Sequence, residues 1–141
     1  MGNKQASVKK ANFEDTQQII KTNNNSLLIN TLNKTEQHCL IKGTITIDNE
    51  EIIINKNLNN LGLKIIIYDK NSSQEHLYKK YHQLINLGFY DVYVYSGGLF
   101  EWLLLQDIYG AESFPTTTTE LDILKYKAKS AFSANYLMNI D

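Results

Sequence analysis

Asp69-Lys70-Asn71-Ser72-Ser73-Gln74-Glu75 comes directly after the apolar run Ile65-Ile66-Ile67-Tyr68. A helix that follows this polar loop offers the free N–H groups of its positive end, which favour an anion. Asp69 brings its own negative charge to that place, and Lys70 is the only cation beside it. A carboxylate there is expected to be stabilised by those N–H groups in a structural role. No companion acid or magnesium-binding carboxylate cluster lies nearby in the sequence, so use of Asp69 as a nucleophile is not supported. The chain has 1 cysteine, Cys39, well ahead of the loop. That excludes an internal disulfide and a Cys-rich zinc site, and Cys39 reads as a small, semi-buried hydrophobe. His38, His76 and His82 share no metal-ligand spacing, and at helical spacing His76 and His82 fall on different faces. They read as solvated or capping residues, with His76 near enough to the loop to donate to Asp69. No metal and no cofactor is expected.

A second candidate lies at the start. Met1-Gly2-Asn3-Lys4-Gln5-Ala6 offers Gly2 for N-myristoylation, although the pattern prefers Ser or Thr where Ala6 stands. One acyl chain binds a membrane only marginally, and Lys4, Lys9 and Lys10 would each add about 1 kcal/mol at an anionic surface. A membrane surface is therefore an expected partner through Gly2. Thr116-Thr117-Thr118-Thr119 is a run of modifiable hydroxyls without a specific kinase signature.

These residues sit in a chain of 141 residues, 43% of them apolar, with a net charge of −1. The length fits one domain that folds without disulfide or metal. The near-neutral charge argues against a nucleic-acid partner. No apolar run is long enough to span a membrane, the first residues do not resemble a secretory signal, and the single cysteine fits a reducing, cytoplasmic compartment. All 14 basic residues are lysine. That bias, with abundant Asn and Ile, fits an AT-rich coding genome of the protist or large-virus kind; the latter source would add virion association to the expectations.

The elements that must position the loop are read from periodicity. Asn12 caps a helix over 12–21, and Leu27-Leu28-Ile29 reads as a buried strand. Residues 40–47 read as a second strand and 49–60 as a helix. The continuous Ile65-Ile66-Ile67 run predicts a central parallel strand covered on both faces. Ser72 and Glu75 have capping-box spacing for a helix that Gly88 ends. Val92-Tyr93-Val94-Tyr95 is a strand, Ser96-Gly97-Gly98 a turn, and Leu99 to Tyr109 an apolar helix stopped by Gly110. Thr117 and Glu120 are expected to cap a last short helix carrying Leu121, Ile123 and Leu124. Trp102, Leu103, Leu104 and Leu105, with Tyr78, Tyr81, Tyr93 and Tyr95, offer a core or an aromatic contact patch for a protein partner. Alternating strands and helices predict an α/β fold, a parallel sheet of about four to five strands with helices on both faces.

Three segments in order resemble the rhodanese-like (sulfurtransferase) domain. They are Leu27-Leu28-Ile29-Asn30, then Ile41 with Gly43-Thr44-Ile45-Thr46-Ile47, and last the stretch from Ile65 to Tyr68 through Gly88-Phe89, Val92 to Tyr95, Gly97-Gly98 and Trp102. The resemblance implies a rhodanese-like domain over 12–115, an N-terminal arm over 1–11 and a C-terminal extension with a short helix over 116–141. In active members a cysteine follows the tyrosine of the central strand and carries a sulfane sulfur inside a ring of backbone N–H groups; the resemblance puts Asp69 at that position, where it would be held as the anion but cannot form the S–S bond. Arginine is absent, and Asn30 and Leu32 stand where the family commonly has Asp and Arg. The resemblance thus implies a catalytically inactive module for protein binding or anchoring. The alternatives are an atypical sulfurtransferase using Cys39, a phosphatase-like relative lacking its Cys and Arg, and an unrelated α/β binding domain.

Overall fold

Ile65, Ile66 and Ile67 are almost wholly inaccessible, so the strand they build must be covered on both faces. The structure, a computed structural model, describes residues 7–22 and 24–132. The central strand is β3 (Lys64–Tyr68), flanked in parallel by β2 (Ser26–Asn30) and β4 (Val92–Tyr95). A two-residue strand, β1 (Lys10–Ala11), pairs in parallel with β4, giving the order β1-β4-β3-β2.

Four helices cover this sheet: α1 (Phe13–Thr22), α2 (Ile47–Lys56), α3 (Glu75–Asn86) and α4 (Gly98–Tyr109). On one face Leu28, Ile66 and Tyr95 pack with Ile19 of α1 and Leu99, Trp102 and Leu103 of α4. On the other, Ile65, Ile67, Val92 and Val94 pack with Ile54 of α2 and Leu77, Tyr81 and Leu84 of α3. This is the expected α/β architecture, with four strands. Adjacent isoleucines point to opposite faces of β3, and each face has its own helices to meet them.

Local chemistry sets the helix ends. The Asp15 N–H donates to Asn12 Oδ1 and the Asn12 N–H to Asp15 Oδ2, both at 3.0 Å, which fixes the start of α1. At the end of α3, Phe89 N donates to the Leu84 carbonyl (3.2 Å) and Gly88 N to that of Ile85 (2.9 Å). Gly88 closes this motif at φ +110°, a conformation open to glycine.

Several expectations need correction. Residues 40–47 form no sheet strand. Ile41 makes a single antiparallel bridge to Thr116, Lys42 N donates to the Pro115 carbonyl (3.0 Å), and Gly43 at φ +93° turns the chain away. The apolar spacing is real, because Ile41 is fully buried, but its partner is the C-terminal segment. Helix α3 starts at Glu75 rather than Ser72, since Asn71 holds the intervening residues in a turn of their own. The last helix reduces to a 3-10 turn over Ile123–Tyr126. Thr117 does not cap it: its Oγ1 accepts the Leu40 N–H at 3.0 Å. Residues 115–127 form a strap closed over the domain, and Lys10 and Ala11, assigned to the arm, belong to the sheet. Of the aromatic and apolar side chains read as core or contact patch, Tyr81, Tyr95, Trp102 and Leu103 are buried core, Tyr78, Tyr93 and Leu105 are half-buried and Leu104 is exposed. Among the described residues no helix is long and apolar enough to cross a membrane.

Candidate functional site

Parallel strands bring their C-terminal ends to one edge, where open α/β sheets carry their sites. β2 ends there at Asn30 and β3 at Tyr68, and Asp69 to Gln74 connect β3 to α3. Tyr68 is fully buried, with its hydroxyl accepting from Ile41 N (3.0 Å) and bonded to Thr44 Oγ1 (2.7 Å). Burial pushes this phenol well above its ordinary range, so it stays a neutral structural peg.

Asp69 is 2% exposed. Its Oδ2 accepts the Thr31 hydroxyl at 2.6 Å and its Oδ1 accepts the Lys70 N–H at 2.7 Å. One backbone amide and one hydroxyl hold the carboxylate, rather than the expected ring of N–H groups. Its backbone carbonyl accepts Leu99 N (3.0 Å), and that of Lys70 accepts Phe100 N (2.9 Å). The first amides of α4 therefore serve the loop's carbonyls. This contact explains Gly98: a β-carbon there would lie 2.6 Å from the Asp69 carbonyl and 2.8 Å from that of Lys70.

The rest of the loop is engaged as well. Lys70 Nζ pairs with Glu36 at 2.8 Å. Asn71 is 6% exposed; its Oδ1 accepts Ser73 N (2.8 Å) and its Nδ2 donates to the Tyr126 carbonyl (2.9 Å). The Ser72 carbonyl accepts the Tyr78 hydroxyl at 2.8 Å. Gln74 stands at the N-cap of α3 without a side-chain cap, and Glu75 opens the helix. At the end of β2, Asn30 and Gln37 form a reciprocal amide pair (2.8 and 3.1 Å), while Leu32 joins the core.

The other sequence candidates lie elsewhere. Cys39 is fully buried beneath the strap, its Sγ 3.5 Å from the Thr118 carbonyl. His38 Nε2 bonds Glu120 Oε1 at 2.8 Å. His76 is exposed and does not reach Asp69; it borders a cleft of about 370 Å³ lined also by Asn30, Thr31, Leu32 and Asn33. His82 packs edge-on against Tyr81. Among the described residues no three His, Cys, Asp or Glu side chains gather as a metal site. Gly2 lies outside the described residues. Sequence reasoning missed Thr31, Gln37 and Tyr126, which meet the loop edge only through long-range folding.

The rhodanese-like domain model matches residues 12–105. The chain belongs to the rhodanese-like family. No curated protein is a significant match to it. Among solved structures, the BH2092 protein of Bacillus halodurans is similar at 20% identity, with 72% of this chain and 74% of that one covered and a TM-score of 0.55. The Alr3790 protein of Anabaena sp. is 17% identical over 93% and 94% of the two chains, with a TM-score of 0.55. A thiosulfate sulfurtransferase of Pseudomonas aeruginosa is 16% identical, with a TM-score of 0.55, over 69% of this chain and 19% of its own. At these identities the likeness is one of fold, and it agrees with the sheet and helices described above.

Proposed function

We propose that this rhodanese-like chain is catalytically inactive and serves as a protein-binding or anchoring module, tethered to a membrane surface by N-myristoylation of Gly2. The observation that carries the reading is Asp69 at the end of β3, where active members of the family place the cysteine. Its carboxylate is spent on Thr31 and the Lys70 amide. A carboxylate forms no persulfide. The loop's cation is taken by Glu36, and Asn71 occupies the loop's interior. In support of binding, Ile108 and Tyr109 of α4 and Leu121 and Leu124 of the strap stand between 64% and 86% exposed.

The test is thiocyanate formation from thiosulfate and cyanide by the purified chain, expected at the uncatalysed rate. The second reading, a sulfurtransferase working through Cys39, has the only thiol in its favour, and burial of that thiol against it. Thiocyanate formation that Cys39→Ser abolishes would move the conclusion to this second reading. The tether is tested separately, by the intact mass of the chain from its native source: an unmodified Gly2 removes it and leaves the module.

A further inference from the structure

Four identical side chains stand in a row on the strap, and their hydroxyls have different duties. Thr116 Oγ1 donates to the Thr118 carbonyl (2.6 Å) and accepts from Gln106 Nε2 (3.0 Å). Thr117 Oγ1 accepts Leu40 N, and Thr118 Oγ1 donates to the His38 carbonyl at 2.9 Å. Thr119 is exposed, and its hydroxyl has no partner among the described residues. Thr117 and Thr118 are exposed as well, but their hydroxyls, like that of Thr116, are engaged in holding the strap; Thr119 is the one whose hydroxyl is unengaged among the described residues.

The residues after Thr119 add a second, independent feature. Residues 119–122 form neither helix nor strand. Glu120 is half-exposed, with its carboxylate taken by His38 and by Lys125 at 2.6 Å. Leu121 is 86% exposed and Asp122 is exposed, its carboxylate unpaired among the described residues. The segment thus presents a hydroxyl and, three residues on, a carboxylate, on irregular backbone that a kinase groove can take up.

From this we infer that Thr119 is a phosphorylation site for a Ser/Thr kinase that reads acidic residues C-terminal to the hydroxyl, with Asp122 as the group recognised. Charge patterns of this kind are how kinases choose substrates. Oγ1 attacks the γ-phosphorus of ATP, the bond from that phosphorus to the bridging oxygen breaks, ADP leaves, and the kinase's catalytic Asp takes the hydroxyl proton. The inference is independent of the reading of the Asp69 loop.

The experiment incubates the full chain with Mg-ATP and an acid-directed Ser/Thr kinase, and maps phosphate by tandem mass spectrometry. One phosphate within the strap, on Thr119, is expected, retained as phosphoserine in Thr119→Ser and absent from the strap in Thr119→Val. Asp122→Asn should lower incorporation by about tenfold or more, the loss of one charge-assisted contact. Urea midpoints equal to wild type establish that the variants fold. Phosphate on Thr116, Thr117 or Thr118 of the folded chain, no phosphate at all, or labelling indifferent to Asp122→Asn would each overturn the assignment.

Discussion

Asn71 donates its side-chain amide to the carbonyl of Tyr126 across 2.9 Å, tying the loop after β3 to the 3-10 turn of the strap. The two residues are far apart in sequence, and both are buried. The strap is thus part of the domain, and it closes the edge at which β3 delivers Asp69.

Tyr126 is 1% exposed, yet among the described residues its hydroxyl has no hydrogen-bond partner. A buried, unsatisfied hydroxyl costs about 1–3 kcal/mol. Tyr126→Phe is therefore expected to leave the urea midpoint unchanged or raise it. Tyr126→Ala empties an aromatic site and should cost about 3–5 kcal/mol. A marked loss in the phenylalanine variant would mean that the hydroxyl is paired after all.

Gly98 sits at φ +66° with the carbonyls of Asp69 and Lys70 crowding the place a β-carbon would take. Gly98→Ala brings left-handed strain of roughly 1–2 kcal/mol together with a clash against backbone that cannot swing aside. The variant should unfold at clearly lower urea. Wild-type stability would show that α4 can shift away from the loop at little cost.

Asp69→Ala leaves the Lys70 N–H without its acceptor and the Thr31 hydroxyl with only the longer contact to the Tyr68 carbonyl (3.3 Å). The expected loss is about 1–3 kcal/mol, read from urea unfolding. Asp69→Cys should form no persulfide with thiosulfate, because Lys70 stays with Glu36 and Asn71 stays in the loop. A persulfide seen by intact mass would show that only the nucleophile had been lost.

Hydrogen bonds from Lys125 and His38 hold the Glu120 carboxyl down at about 2, from an ordinary value of 4.5. A carboxyl depressed in the folded state stabilises that state fully above its unfolded value, and the contribution fades as pH falls toward the folded one. Stability measured between pH 5 and about 2 should therefore decline more steeply in wild type than in Glu120→Gln. Parallel profiles would mean that solvent screens the cluster completely.

The sheet and the polar loop were legible because their signals are local. The Ile65-Ile66-Ile67 run, Gly88 and Gly97-Gly98 each state a strand, a cap or a turn within a few residues. Residues 40–47 misled because buried isoleucines look alike whether they sit in a ladder or lie against a distant segment. Their partner, Pro115 to Thr118, has no pattern that announces it. The surroundings of Asp69 were half legible: the residue and its position were plain, whereas Thr31, Glu36 and Tyr126 are brought to the loop by tertiary contacts between β2, its following turn and the strap. The start of α3 was misplaced because Asn71, an Asx-type turn former, took the backbone N–H that a capping Ser72 would have left to the helix.

Lys10 and Ala11 run parallel to β4, and Lys9 Nζ reaches the Tyr90 carbonyl at 2.9 Å, just before that strand begins. Lys10 pairs with Val94 and Ala11 with Tyr95, the last residues of β4, so the chain joins the sheet at the edge that also carries the Asp69 loop. A load applied at Ser7 is thus carried into β4 itself, the strand that leads through Gly97 and Gly98 to the helix whose Leu99 amide holds the Asp69 carbonyl.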